Sequence, residues 1–121
     1  MSLNGKHALV TGGGTGIGLA IAQALAAQGA QVTITGRRAE VLEQVAVNGL
    51  HAVQMDVADE DSVVTGVAKA VAARGPIQIC VPNAGIAEGR ALHKTDMEFW
   101  RTMMAINVDG CFLTIRECLK S

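Results

Sequence analysis

The chain has 121 residues, a formal net charge of −1, 17% charged residues and 50% hydrophobic residues. One domain with its own core is the size expectation. A near-neutral charge gives no footprint for nucleic acid or an acidic membrane surface. No apolar run approaches the roughly 18 residues of a membrane span, and Met1 to Lys6 lacks a signal-peptide core, so a cytoplasmic protein is expected.

The first element in chain order is His7-Ala8-Leu9-Val10, an apolar run that reads as a strand. It leads into Thr11-Gly12-Gly13-Gly14-Thr15-Gly16-Ile17-Gly18. A helix follows, with Ile17, Ala20, Ile21, Ala24 and Leu25 at the spacing of one face. Strand, glycine turn and helix in that order place unpaired helix N–H groups where side chains are lacking, a setting that favours a diphosphate. Gly12 permits the tight turn, Gly16 lets backbone approach phosphates, and Gly18 lets the helix sit near the sheet. The spacing is neither G-x-G-x-x-G nor a P-loop, because Leu19 stands where the latter needs lysine.

Gln31 to Thr35 is rich in β-branched residues and reads as a second strand. About 20 residues past the glycine loop, an acid would bond the ribose 2′-hydroxyl of NAD. Here stands Gly36, followed by Arg37 and Arg38. Planar, permanently charged guanidinium groups suit a 2′-phosphate, so NADP(H) is the expected cofactor. The plainer alternative is a pair of solvated arginines opening the helix Ala39 to Val47, whose inward residues are Val41, Leu42, Val45 and Ala46.

Asn48-Gly49 ends that helix, and Leu50 to Met55 reads as strand three. Asp56-Val57 after it can meet an adenine, the carboxylate accepting from the amine and Val57 packing on the ring. Asp59 caps a helix with Val64, Val67, Ala68, Val71 and Ala72 as its stripe. Gly75-Pro76 stops it, and Ile77 to Val81 is strand four. A loop from Pro82 to Lys94 contains Asn83-Ala84-Gly85. The last helix opens at the capping box Thr95-Asp96-Met97-Glu98 and holds Asn107 and Gly110, both poor interior residues; such a conflict often marks function. Four strands alternating with helices define an α/β fold, a Rossmann-type doubly wound parallel sheet ordered 3-2-1-4.

T-G-x-x-x-G-x-G at Thr11 to Gly18, Asp56-Val57, Asn83-Ala84-Gly85 and Asn107 in an N-x-x-G-x-F setting occur in this order. Together they resemble the short-chain dehydrogenase/reductase family over essentially the full chain, 1–121. The resemblance implies a cofactor site built from Gly12, Gly14, Thr15, Gly16, Ile17, Gly18, Arg37, Arg38, Asp56, Val57, Asn83, Ala84 and Gly85. It also implies a catalytic role for Asn107 in holding a proton-relay water, and a small-molecule carbonyl or alcohol as substrate. Pro82 stands where the family often has another Asn. The chain has no tyrosine, whereas the family's acid–base chemistry uses a serine and a Tyr-x-x-x-Lys motif. The chain therefore reads as the N-terminal, cofactor-binding half of such an oxidoreductase, inactive alone. The alternative is a non-catalytic NADP(H)-binding or assembly module. A methyltransferase is a more distant reading, disfavoured by Gly36-Arg37-Arg38.

Three cysteines without C-x-x-C argue against zinc or a disulfide framework. Cys111 and Cys118, two turns apart, read as buried thiols. His7, His51 and His93 read as structural or surface residues, and no metal site is expected. The mean hydropathy of +0.32 is high for so short a chain. Strand four and the apolar residues Phe99, Trp100, Met103, Met104, Phe112, Leu113 and Leu119 should outrun the cover available, which makes a homo-oligomer the expectation.

Overall fold

The computed structural model describes residues 2–86 and 89–121. The predicted loop Pro82 to Lys94 thus includes two positions, 87 and 88, that lie outside the described residues. The elements run β1 (His7–Thr11), α1 (Gly16–Ala27), β2 (Gln31–Gly36), α2 (Ala39–Val45), β3 (Leu50–Gln54), α3 (Glu60–Arg74) and β4 (Ile79–Val81). A 3-10 turn at Leu92–Lys94, α4 (Met97–Met104), a π-helical turn at Ala105–Asp109 and α5 (Gly110–Leu119) complete them.

Among the described residues the sheet is fully parallel, ordered β3-β2-β1-β4, as the sequence predicts. Its two faces carry separate cores. Val10, Val32, Ile34, Leu42 and Leu50 pack with Ala22 of α1 on one side. Leu9, Met55, Val63, Val67, Leu113 and Cys118 pack beneath α3 and α5 on the other. Every residue of β1 is buried, as its central place demands.

Two helix faces differ from the periodicity reading. In α1 the buried residues are Gly18 and Ala22, while Ile17 is 74% exposed and Ala20 and Ala24 face outward. This helix is apolar nearly all round, so spacing alone carries little direction, and the smallest residues decide which side can lie closest. In α3 the buried set is Val63, Gly66, Val67 and Ala70, while Val64, Ala68 and Ala72 are exposed. Gly66 sits over Met55, a contact invisible to hydropathy. Leu113, expected to lack cover, is buried on the inner face of α5.

Strand four is shorter than predicted, and side chains take two backbone N–H groups at its start. Gln78 Oε1 accepts the His7 N–H at 2.7 Å, and the Gln78 N–H donates to His7 O at 2.9 Å. Ile77 N–H donates to Ser121 Oγ at 3.0 Å.

At the amino ends of the strands His7 is 2% exposed and fully partnered. Its Nδ1 lies 2.8 Å from Gly75 O, which can only accept, so Nδ1 carries the proton. Nε2 lies 2.7 Å from Thr33 Oγ1, which also receives Arg74 Nε–H at 3.4 Å. Thr33 keeps a hydroxyl proton it can donate to Nε2, an arrangement that suits the neutral ring favoured by burial. Burial lowers the His7 pKa, the Gly75 bond raises it, and the Arg74 charge lowers it again, for a net fall. A depressed histidine pKa means stability is complete above the unfolded value of about 6.5 and is lost as pH falls through the folded-state pKa. His51 shifts the same way, chiefly from burial. The melting temperature should fall between pH 7 and pH 5, and His7→Gln should reduce that slope. An unchanged slope in the variant would remove His7 from the account.

Candidate functional site

The carboxyl ends of β1, β2 and β3 and the loop after β4 form one cleft. Gly12, Gly14, Thr15, Thr35, Gly36, Arg37, Arg38, Val41, Leu42, Met55, Asp56, Val57, Ala84, Gly85, Ile86 and Ile106 line it. It lies where the chain reverses its direction across the sheet, between β1 and β4, the usual ligand position in open α/β sheets.

The glycine turn is shaped by contacts on both sides. Gly12 has φ +64° and Gly16 φ +55°, conformations that side-chain-bearing residues rarely adopt. A Cβ at Gly18 would collide with the Gly12 carbonyl and stand 2.5 Å from Asn83 Nδ2. Asn83 Nδ2 donates to Thr11 O at 3.2 Å and to Gly12 O at 3.4 Å, and the Ala84 N–H donates to Thr11 Oγ1 at 2.9 Å. The loop after β4 thus clamps the turn after β1. Pro82, with no N–H to give, leaves this clamp intact.

Helix α1 begins at Thr15 with no side-chain cap and no acid in its first turn. By contrast, Asp59 caps α3 and Asp96 caps α4, each with acids following. The N-terminal N–H groups and positive pole of α1 are thus left for an external anion. Farther along the cleft Arg37 and Arg38 are exposed, and among the described residues neither forms an ion pair. Gly36 has ordinary φ, and a Cβ there would meet Leu42 at an unstrained 3.5 Å, so the backbone does not require glycine.

Asp56 Oδ1 accepts the Ala58 N–H at 3.0 Å in a local turn, and its second oxygen has no partner among the described residues. Val57 is 8% exposed, held between the cleft and Gly110 of α5. The Thr35 hydroxyl is buried beneath the cleft with no hydrogen-bond partner among the described residues. An uncapped helix, free guanidinium groups, a carboxylate oxygen and an orphan hydroxyl along one cleft fit an elongated ligand with an adenine-like end and several anionic groups.

Asn107 sits in the π-helical turn, where Gly110 N–H bonds to Ala105 O, one residue farther back than in an α-helix. Its Oδ1 accepts the Ile86 N–H at 2.9 Å and its Nδ2 donates to Ile86 O at 3.1 Å. The side-chain amide therefore pairs with the Ile86 backbone as a neighbouring strand would. Gly85 leaves room for it, since a Cβ there would stand 2.8 Å from Asn107 Oδ1.

Of the residues singled out from the sequence, Gly12, Gly14, Thr15, Arg37, Arg38, Asp56, Val57, Ala84 and Gly85 line the cleft. Gly16, Gly18, Asn83 and Asn107 lie behind its wall or at its rim, and the Ile17 side chain points to solvent. Thr35, Val41, Leu42, Met55, Ile86 and Ile106 were missed. Thr35 and Met55 stand at strand ends, Val41 and Leu42 on α2, Ile86 in the loop after β4 and Ile106 in the π-helical turn, and their only sequence signal is proximity to a recognised motif.

Residues 6–121 match the profile of the short chain dehydrogenase family. The chain belongs to that family, whose members are oxidoreductases that bind a nicotinamide cofactor. It is 42% identical over 119 residues to an NADP-dependent (R)-specific alcohol dehydrogenase of Lentilactobacillus kefiri, covering 94% of this chain and 47% of that one. A gluconate 5-dehydrogenase of Gluconobacter oxydans is 41% identical over 117 residues, with 92% and 46% covered. The crystal structure of a short-chain type dehydrogenase/reductase from Mycobacterium marinum superposes with a TM-score of 0.94 at 34% identity, covering 98% of this chain and 51% of that one. The chain thus spans about half the length of the relatives it matches. No described helix is long and apolar enough to cross a membrane.

Gly18→Ala tests the clamp directly. In open space alanine would gain up to about 1 kcal/mol of helix propensity. Against the Gly12 carbonyl it should instead cost about 1–3 kcal/mol by overpacking, read from urea denaturation. A stabilised variant would show that helix and turn are not in contact.

Proposed function

We propose that these residues form the NADP(H)-binding half of an oxidoreductase acting on a carbonyl/alcohol pair. The observation that carries the reading is the pairing, along one cleft, of the uncapped α1 N-terminus with Arg37 and Arg38, which form no ion pair among the described residues. The α1 N–H groups receive the diphosphate, and the guanidinium groups hold the 2′-phosphate. Gly36 leaves that space open and brings no competing acid. The free oxygen of Asp56 accepts from the adenine amine, with Val57 against the ring. Ala84 and Gly85, braced by Asn83 behind them, form the wall nearest the ribose. The nicotinamide, when bound, supplies or accepts the hydride. The Asn107 side chain is committed to Ile86, so its part is to fix that segment beside the place of the proton-relay water. With no tyrosine in these residues, the acid–base group comes from elsewhere in the assembled enzyme.

NADPH and NADH titrations test the cofactor reading. One charged hydrogen bond to the 2′-phosphate contributes roughly 1.5–3 kcal/mol, so NADPH should bind at least about tenfold more tightly. Both Arg37→Asp and Gly36→Asp should collapse the preference without unfolding the chain. Equal affinities in the unaltered protein would sink the assignment.

A second reading, a non-catalytic NADP(H)-binding or assembly module, is favoured by the uncovered apolar surface. Phe112 is 60% exposed and Leu119 80%, with Val108, Ile115 and Trp100 also open. In either reading, association would cover this surface. Burial contributes about 25 cal/mol per Å², so covering a few hundred Å² recovers several kcal/mol. Sedimentation at low micromolar concentration should show self-association. A stable monomer with a high melting temperature would refute this.

A further inference from the structure

Thr35, the penultimate residue of β2, is the exception among the buried threonines. It is 0% exposed and lines the cleft, yet its hydroxyl has no hydrogen-bond partner among the described residues. The other three are engaged. Thr11 Oγ1 accepts the Ala84 N–H at 2.9 Å, and Thr33 Oγ1 meets His7 Nε2 at 2.7 Å. Thr114 Oγ1 donates to Gly110 O at 2.7 Å, the back-bond that a helix offers one turn earlier. A strand offers no such carbonyl. Thr35 is in register with Thr11 on one side and Val53 on the other, and its own carbonyl accepts the Gly13 N–H at 3.2 Å. A buried hydroxyl without a partner destabilises the fold, and a valine of the same shape would avoid that cost. The position explains why a hydroxyl stands here. Thr35 lies between the end of β1, which carries the glycine turn, and the end of β3, which carries Asp56 and Val57.

We propose that Thr35 is a ligand-contacting residue, whose hydroxyl gains its hydrogen-bond partner from the adenosine end of a nucleotide bound in the cleft. This rests on the nucleotide reading given above. A purine and a ribose present both donors and acceptors, and a hydroxyl can serve as either. Rotation about Cα–Cβ exchanges the methyl and hydroxyl groups of a threonine, so the oxygen needs no backbone movement to turn toward a partner. The bound nucleotide restores a hydrogen bond that the empty chain forgoes, and stability surrendered in β2 returns as affinity. Thr35 and the arginines then divide the work. Arg37 and Arg38 distinguish a 2′-phosphate from a 2′-hydroxyl, whereas Thr35 engages the part of the ligand that the two nicotinamide cofactors share.

The test is Thr35→Val, read by melting of the full chain without ligand and by titration with NADPH, NADH and adenosine 2′,5′-bisphosphate. The variant should melt a few degrees above the wild type, yet bind all three probes roughly three- to tenfold more weakly. Its preference for NADPH over NADH should not move. Thr35→Ser keeps the hydroxyl and should keep most of the affinity. Thr33→Val removes a partnered hydroxyl from the same strand, so it should melt lower and leave binding unchanged. The assignment is overturned if Thr35→Val melts lower, fails to fold or binds like the wild type, and the last result leaves the cofactor reading standing. A loss for NADPH that the bisphosphate does not share would overturn it too. A wild type that binds none of the three probes would bring down the cofactor reading itself, and this assignment with it.

Discussion

The structure depends on one close approach, that of α1 to the turn after β1. Gly18 lies against the Gly12 carbonyl, and Asn83 reaches across from the loop after β4 to hold that carbonyl and its neighbour. Two segments about 70 residues apart thus fix one loop. The first N–H groups of α1 keep their direction because the backbone beneath them cannot shift. A looser turn would blur the aim of the helix dipole, whose influence fades within the first turn.

The second clamp repeats this logic with different chemistry. Asn107 pairs with both backbone groups of Ile86, and the π-helical turn is what brings its amide to that register. An asparagine and a glycine in one helical stretch are a poor choice for an α-helix. They are a sensible choice where the helix widens by one residue to reach a neighbouring loop. Stability given up locally reappears as order in the cleft wall.

The fold was largely legible because its signals are backbone signals. β-branched runs, the glycine turn, Asn48-Gly49 and Gly75-Pro76 mark boundaries that no tertiary contact had to override. The cleft residues announced by motif, such as Gly14 and Ala84, were legible for the same reason. The faces of α1 and α3 were not, because Ile17 and Val64 match the periodicity as well as the residues that are buried. Which side turns inward depends on Gly18 fitting beneath the Gly12 carbonyl and Gly66 over Met55. The shortening of β4 also escaped sequence, as did the Gln78 and Ser121 side chains that take backbone N–H groups at its start.

His7 begins β1 and Thr11 ends it, so the neutral histidine and the cleft stand about 13 Å apart along one strand. Sites that far apart, without shared partners, contribute to the unfolding free energy additively. Proton uptake at His7 and occupancy of the cleft are therefore separate entries in the same sum. Acid weakens the amino-terminal edge of the sheet, and a ligand bound at the other edge offsets that loss by mass action. Its affinity for the folded chain need not change for it to do so.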